Sequence, residues 1–115
     1  MKEHIMNLYP SSFDKTKSGL KTIELRLYDE KRQEVNVGDT ITFYNTENEL
    51  ESVTVKVKAI HIYESFKELY ENLPLLKCGY NEETVADASY EDMDAYYTKD
   101  KQKMYNAMAI EIEKI

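Results

Sequence analysis

The chain has 115 residues and a formal net charge of −7, which suits one compact domain with one core and works against broad, nonspecific binding to a nucleic-acid backbone. Its single cysteine excludes an internal disulfide and fits a reducing compartment. No apolar run is long enough to span a membrane and no signal-peptide pattern opens the chain, so the expectation is a cytoplasmic protein with no membrane partner.

In chain order, residues 4–8 (HIMNL) read as a first strand. Pro10 fits the first turn of a short helix, where its missing N–H costs nothing. Phe13 would face the core, and Gly19 would end that helix in a left-handed conformation. From Lys21 to Tyr28 apolar and polar residues alternate, the pattern of a strand. Asp29 can cap one helical turn through EKRQ. VGD at 37–39 reads as a tight turn into the strand TITFY, 40–44. The acidic run NTENELES, 45–52, is expected to be a hairpin loop. The clearest strand is 53–63, with Val53, Val55, Val57, Ala59 and Tyr63 on one face.

The period then changes. Ser65 and Glu68 form a capping-box pattern, after which Phe66, Leu69, Tyr70 and Leu73 line one helical face until Pro74 ends it. NEETVADA and SYEDMDAYY read as two short acidic helices, and Thr98 as the cap of another reaching Tyr105. Residues 107–115 alternate again and should return to the sheet. This order predicts an α+β fold whose strands form one curved sheet or small barrel, with a helical insert over an open end.

Several chemistries lack their residues. There is no glycine-rich phosphate loop. His4, His61 and Cys78 are too far apart to suggest a metal site, and no motif calls for a cofactor. Cys78 beside Gly79 has no local basic or histidine partner to activate it, so a small half-buried side chain is its simplest role. The acidic run Glu82–Asp94 is either a solvated helix face or a surface for a protein partner. Tyr90, Tyr96, Tyr97 and Tyr105 are either packing groups or stacking platforms for bases.

The strand 21–28 is the informative one. If Ile23, Leu25 and Leu27 face the core, Thr22, Glu24, Arg26 and Tyr28 point the other way. That outer side is a solvated face with a Glu24–Arg26 pair or, if the helical insert walls it, a charged cleft with Lys21 at its entry. Gly19 nearby would let a ligand or another backbone approach closely.

The stretch SGLKTIELRLYDEKRQEVNVGDTITF resembles the signature of the ASCH family, small domains of the PUA-like superfamily. The pattern is a glycine, one residue, Lys-x-x-Glu-x-Arg, then a Gly-Asp turn and an apolar strand. Here these are Gly19, Lys21, Glu24, Arg26, Gly38 and Asp39. The resemblance continues through SFKELYENLP, GY…SYEDMDAYY and the closing strand, and so covers nearly the whole chain as one domain, 1–115. The usual Tyr-Gly before the last strand is Tyr105-Asn106 here.

The resemblance implies a PUA-like β-barrel of about five to six strands, short helices over one end, and a cleft lined by the Lys-x-x-Glu-x-Arg strand. PUA-like domains commonly bind RNA or modified nucleotides. The implied ligand is therefore RNA or a nucleoside or nucleotide, contacted by Lys21, Thr22, Glu24, Arg26 and Tyr28. Arg26 and Lys21 would contact phosphate or carbonyl oxygens, and Glu24 would accept from an amine or hydroxyl. Some small bacterial ASCH proteins are instead amidohydrolases that deacetylate acetylated cytidine, and related domains are linked to RNA cleavage. A hydrolytic reading would use Lys21 and Glu24, with Glu68 or Glu71 as a further carboxylate. Those deacetylases carry threonine where this chain has Glu24, so their hydroxyl nucleophile is missing; Thr22 lies two residues away.

Overall fold

The computed structural model describes residues 1–115. Strand β1 (Glu3–Leu8) leads into helix α1 (Pro10–Ser18), then β2 (Ile23–Leu27) and a 3-10 turn (Arg32–Glu34). Strands β3 (Thr40–Asn45) and β4 (Asn48–Tyr63) follow. A helical insert comes next: helix α2 (Phe66–Asn72), three 3-10 segments (Leu75–Lys77, Val85–Asp87, Tyr90–Ala95) and helix α3 (Lys99–Met104). Strand β5 (Ala107–Lys114) closes the chain. The five strands form one sheet in the order β1-β3-β4-β5-β2. β1 runs parallel to β3, and the other neighbours are antiparallel. The sheet curls into a half-barrel with short helices, the α+β class expected from the sequence.

Local chemistry sets the element ends. Gly19 ends α1 at φ 85°, donating its N–H to the Thr16 carbonyl, a conformation that a Cβ would strain. The Ser65 hydroxyl accepts from the Glu68 N–H at the start of α2. The full reciprocal capping box forms elsewhere, at Ser89 and Asp92. Asp29 accepts from the Arg32 N–H, but the helical turn expected after it is a short 3-10 turn, Arg32–Glu34, whose cap position is Lys31. In the Gly38-Asp39 turn, the Asp39 carboxylate accepts from the N–H groups of Lys2 and Asn36 and pairs with His4 Nε2 at 2.8 Å. One carboxylate thereby ties the start of β1 to the turn before β3.

Two expectations about β4 need correction. The expected loop at 45–52 is strand from Asn48 onward; Asn45 pairs directly with Asn48, so the turn shrinks to Thr46 and Glu47. The Asn45 side chain accepts from the Glu47 N–H, a local bond that makes so short a turn self-sufficient. The single alternating face of 53–63 also breaks at Lys58, where the register with β5 slips by one residue. Val53, Val55 and Val57 face the core, but beyond the slip Ile60 takes the inward position and Ala59 and Tyr63 turn outward. An unpaired extra residue in a strand reverses every side chain after it.

The apolar residues form two clusters, one on each side of the sheet. Met6, Leu8, Ile41, Phe43, Val53, Val55, Val57, Met108, Ile110 and Ile112 pack with Phe13 of α1 on the inner face. Ile23, Leu25, Leu27, Ala107 and Ala109 pack outward against Phe66 and Leu69 of α2 and Met93 of the insert. This reverses the expected orientation of β2. Glu24 opposes Ile110 and Arg26 opposes Met108, and directly opposed antiparallel residues share a face. The charged side of β2 therefore points inward, and its apolar side lies beneath the helices. Alternation reveals two faces but not which is concave. Here β2 is an edge strand covered on both sides, so charge did not mark the solvent side.

Candidate functional site

At the free edge of the half-barrel, β2 forms the floor of a cleft of about 510 Å³, a volume in the range of small-ligand sites. One wall comes from the end of β1 and the start of α1, with Tyr9, Ser11, Ser12 and Lys15. The helical insert supplies the opposite wall, with Tyr70, Cys78, Tyr80, Asp92, Tyr96 and Tyr97. Lys21, Glu24, Arg26 and Arg32 line the floor and its ends.

The floor is organised around Glu24, which is 3% exposed. Lys21 Nζ lies 2.5 Å from Oε1, and Arg26 Nε lies 2.5 Å from Oε2. Burial pushes the Glu24 carboxyl up, but the Lys21 and Arg26 charges outweigh it and hold the group below the ordinary carboxylate range. Glu24 is thus a carboxylate whose oxygens are engaged, a weak base that positions two cations. Arg26 also donates through Nη2 to the Asn7 carbonyl at 2.8 Å. That bond joins β2 to β1, the two outer strands of the sheet. Lys31 donates to the Ile5 carbonyl at 3.0 Å. Side chains thereby bridge the gap that the backbone ladder leaves open.

The insert is tied to this floor. Lys15 Nζ of α1 donates to the Gly79 carbonyl at 2.8 Å. Gly79 has φ 110°, and a Cβ there would lie 3.6 Å from Lys21 Cδ. A second tie is a chain of hydroxyls: Tyr70 and Tyr80 share a hydrogen bond of 2.8 Å, and Tyr80 donates to Asp92 Oδ2 at 2.7 Å. Burial, then these two hydrogen bonds, raise the Tyr80 hydroxyl far above its ordinary range, so it stays a donor. At the mouth, Tyr9 and Tyr96 face each other with ring centroids 5.9 Å apart and a 36° tilt. They are 60% and 54% exposed, which leaves aromatic surface free on both walls.

Of the residues singled out in the sequence, Lys21, Glu24 and Arg26 converge here. Thr22 and Tyr28 do not line the cleft. Thr22 is taken up in backbone pairing with Lys77 and Ile112, and Tyr28 packs against the inner core. Glu68 and Glu71 are exposed on α2, away from the floor. Tyr96 and Tyr97 line the cleft, whereas Tyr105 donates to Glu30 elsewhere. Burial pushes the Cys78 thiol up to about 11, although Lys21 lies near it, so it remains protonated and unreactive. Sequence reasoning did not find Tyr9, Ser11, Ser12, Tyr70 or Tyr80 as wall residues, because walls are made by tertiary approach. Lys15 and Arg32 bound the stretch 15–32, which holds six of the fifteen lysines and arginines of the chain, the one signal that pointed to them.

The family model described as the ASCH domain matches residues 6–115. The chain is similar to the crystal structure of hypothetical protein PH0355, with 34% identity over all of both chains and a TM-score of 0.79. It is likewise similar to the solution structure of protein PF0455 from Pyrococcus furiosus, with 34% identity, 98% of this chain and 97% of that one covered, and a TM-score of 0.74. ASCH from Zymomonas mobilis shares the fold at 19% identity, with 97% of this chain and 67% of that one covered and a TM-score of 0.67. No curated protein matches the sequence.

Proposed function

Because the chain belongs to the ASCH domain family, we propose that its cleft binds RNA or a nucleotide, and that the protein serves in RNA metabolism. The observation that carries this reading is the pairing of cations on the floor with free aromatic surface at the mouth. Lys15, Lys21, Arg26 and Arg32 line the cleft together with Tyr9, Tyr96 and Tyr97. Bases stack on aromatic faces whatever their sequence, and cations meet the backbone. The overall charge of −7 then favours a short ligand seated in the cleft over a long duplex spread across the surface.

A hydrolase acting on a modified nucleoside or on RNA finds less support. Its base would be Glu24, whose oxygens are engaged and whose proton affinity is lowered, and neither Thr22 nor the α2 glutamates reach the floor. Ser11 and Ser12 do line the cleft, and they are the hydroxyls such chemistry would need. A protein-docking role for the acidic insert is weaker still. Asp92 is taken up by Tyr80 and Ser89, and Asp94 by Lys99 and Gln102.

The test is a titration of short RNAs and nucleosides against wild type, Tyr96→Ala and Tyr90→Ala. Tyr90 lies outside the cleft and serves as the control. Loss of one stacking face should weaken binding by about 1–3 kcal/mol. Absence of binding to every probe, or equal effects of the two substitutions, would reject the cleft. Incubation with acetylated cytidine and chromatography of the products tests the hydrolytic reading directly.

A further inference from the structure

Three of the four cations in the cleft are committed to protein partners. Lys15 holds the Gly79 carbonyl, Lys21 holds Glu24, and Arg26 holds Glu24 and Asn7. Arg32 differs. It follows β2 on the 3-10 turn, at the opposite end of the floor from Lys21, and its charge acts on the Tyr97 hydroxyl. Its Nε is buried with no partner. Its one side-chain bond runs from Nη1 to Asp29 Oδ2 at 3.4 Å, beyond the usual range of such bonds. A guanidinium offers five donors in a fixed plane, and leaving a buried one unmade is unfavourable.

We infer that Arg32 is the phosphate-binding residue of the cleft, so that the ligand is a nucleoside carrying a phosphate monoester or diester. This rests on the nucleotide-binding reading above. The Nε and Nη donors along one edge of a guanidinium match two oxygens of a phosphate group. Turning that edge into the cleft breaks one side-chain hydrogen bond, the long contact to Asp29. The neighbouring charges suit a single phosphate. Four cationic side chains line the cleft against Glu24 and Asp92, and Asp29 beside Arg32 offsets one more. That excess is too small to attract a polyanion by field alone, which leaves the directed fork as the means of recognition. Arg32 lies outside the Lys-x-x-Glu-x-Arg stretch, and its backbone N–H bond to Asp29 survives a change of side chain.

The experiment measures binding of the four nucleosides, their 3′- and 5′-monophosphates, the dinucleoside monophosphates and inorganic phosphate to wild type, Arg32→Gln and Arg32→Lys. In wild type at least one phosphorylated form should bind about tenfold tighter than its nucleoside. The mononucleotide and dinucleotide arms separate a terminal phosphate from a diester. Arg32→Gln should bring that ratio close to one, and Arg32→Lys, which keeps the charge but loses the fork, should give an intermediate ratio. Equal binding of nucleosides and nucleotides by wild type would overturn the assignment while leaving the nucleotide-binding reading intact. A ratio unchanged in both variants would do the same. Binding of none of the probes would remove that reading and this inference with it. The wild-type comparison needs no variant, so a folding defect in Arg32→Gln does not blunt the test.

Discussion

The Arg26 guanidinium donates to the Asn7 carbonyl at 2.8 Å and so joins the two outer strands of the half-barrel through a side chain. The same guanidinium holds Glu24 through Nε. One residue thus belongs to the fold and to the cleft floor. Replacing it strands a buried carboxylate with Lys21 alone. Arg26→Met should therefore destabilise the protein by about 3–5 kcal/mol, the usual cost of breaking a buried pair from one side. Arg26→Lys should fall between, since an ammonium cannot serve both partners at once. Urea unfolding curves measure this, and a change within about 0.5 kcal/mol would mean that the bridge does not support the fold.

Acid should weaken the fold through two carboxylates. The hydrogen bonds from His4, Lys2 and Asn36 hold Asp39 well below its ordinary value of 3.8. Glu24 also lies below its ordinary value of 4.5, burial opposing and the Lys21 and Arg26 charges prevailing. With folded pKa values depressed, the unfolded chain binds more protons in this range. The stabilisation is therefore fully present above about pH 5 and is lost as pH falls through 4 and below. Denaturation midpoints from pH 7 to pH 3 should decline. Asp39→Asn should start lower at pH 7 and decline less steeply. A variant that declines as steeply as wild type would show that Asp39 does not carry the acid sensitivity.

What was legible in the sequence follows from what a local pattern encodes. Pro10 and Gly19 bound α1, Ser65 starts α2 and Thr98 starts α3, because caps act within a few residues. The convergence of Lys21, Glu24 and Arg26 was foreseeable because one short strand carries them. The direction of that strand's charged face was not, since it depends on the pairing of Glu24 with Ile110 some eighty-six positions later. Tyr9 and Tyr96 likewise meet only because α1 and the insert approach from opposite sides of β2. The slip at Lys58 had no signal either: neither glycine nor proline marks it.

That slip supports a prediction about β4. Lys58 is the residue left unpaired between Val57 and Ala59, and its side chain makes only an exposed contact to Glu113 at 3.3 Å. Lys58→Ala should change stability by no more than about 0.5–1 kcal/mol. Deleting Lys58 should also be tolerated. Without the extra residue, Val57 stays opposite Ile112 and Ala59 opposite Glu111 in continuous alternation, so Ile60 stays inward and His61 stays beside Glu111. The deletion variant should unfold cooperatively, within about 1–2 kcal/mol of Lys58→Ala. Loss of cooperative unfolding or of sharp amide dispersion would mean that the fold needs the local bend that the extra residue gives β4.

Tyr9 and Tyr96 give the sharpest separation between a structural contact and a ligand clamp. Their rings lie 5.9 Å apart across the cleft mouth, yet both are more than half exposed. An aromatic pair contributes about 0.5–1.5 kcal/mol beyond its area when well packed, and these exposed rings should fall at or below that range. Alanine at either position, and at both, should thus alter stability little, with a coupling of at most about 0.5 kcal/mol. Binding should respond differently. Rings in contact at 5.9 Å leave no slot for a base between them, so a base seated at the mouth stacks on their exposed surface or parts them, and each ring removed should cost about 1–3 kcal/mol of binding. Once one face is gone, removal of the second should cost less, so the binding cycle should show a coupling near 1 kcal/mol. A coupling that appears in the stability cycle and vanishes in the binding cycle would make the pair a strut between α1 and the insert, and would move any base to Tyr97, the neighbouring aromatic of the insert wall.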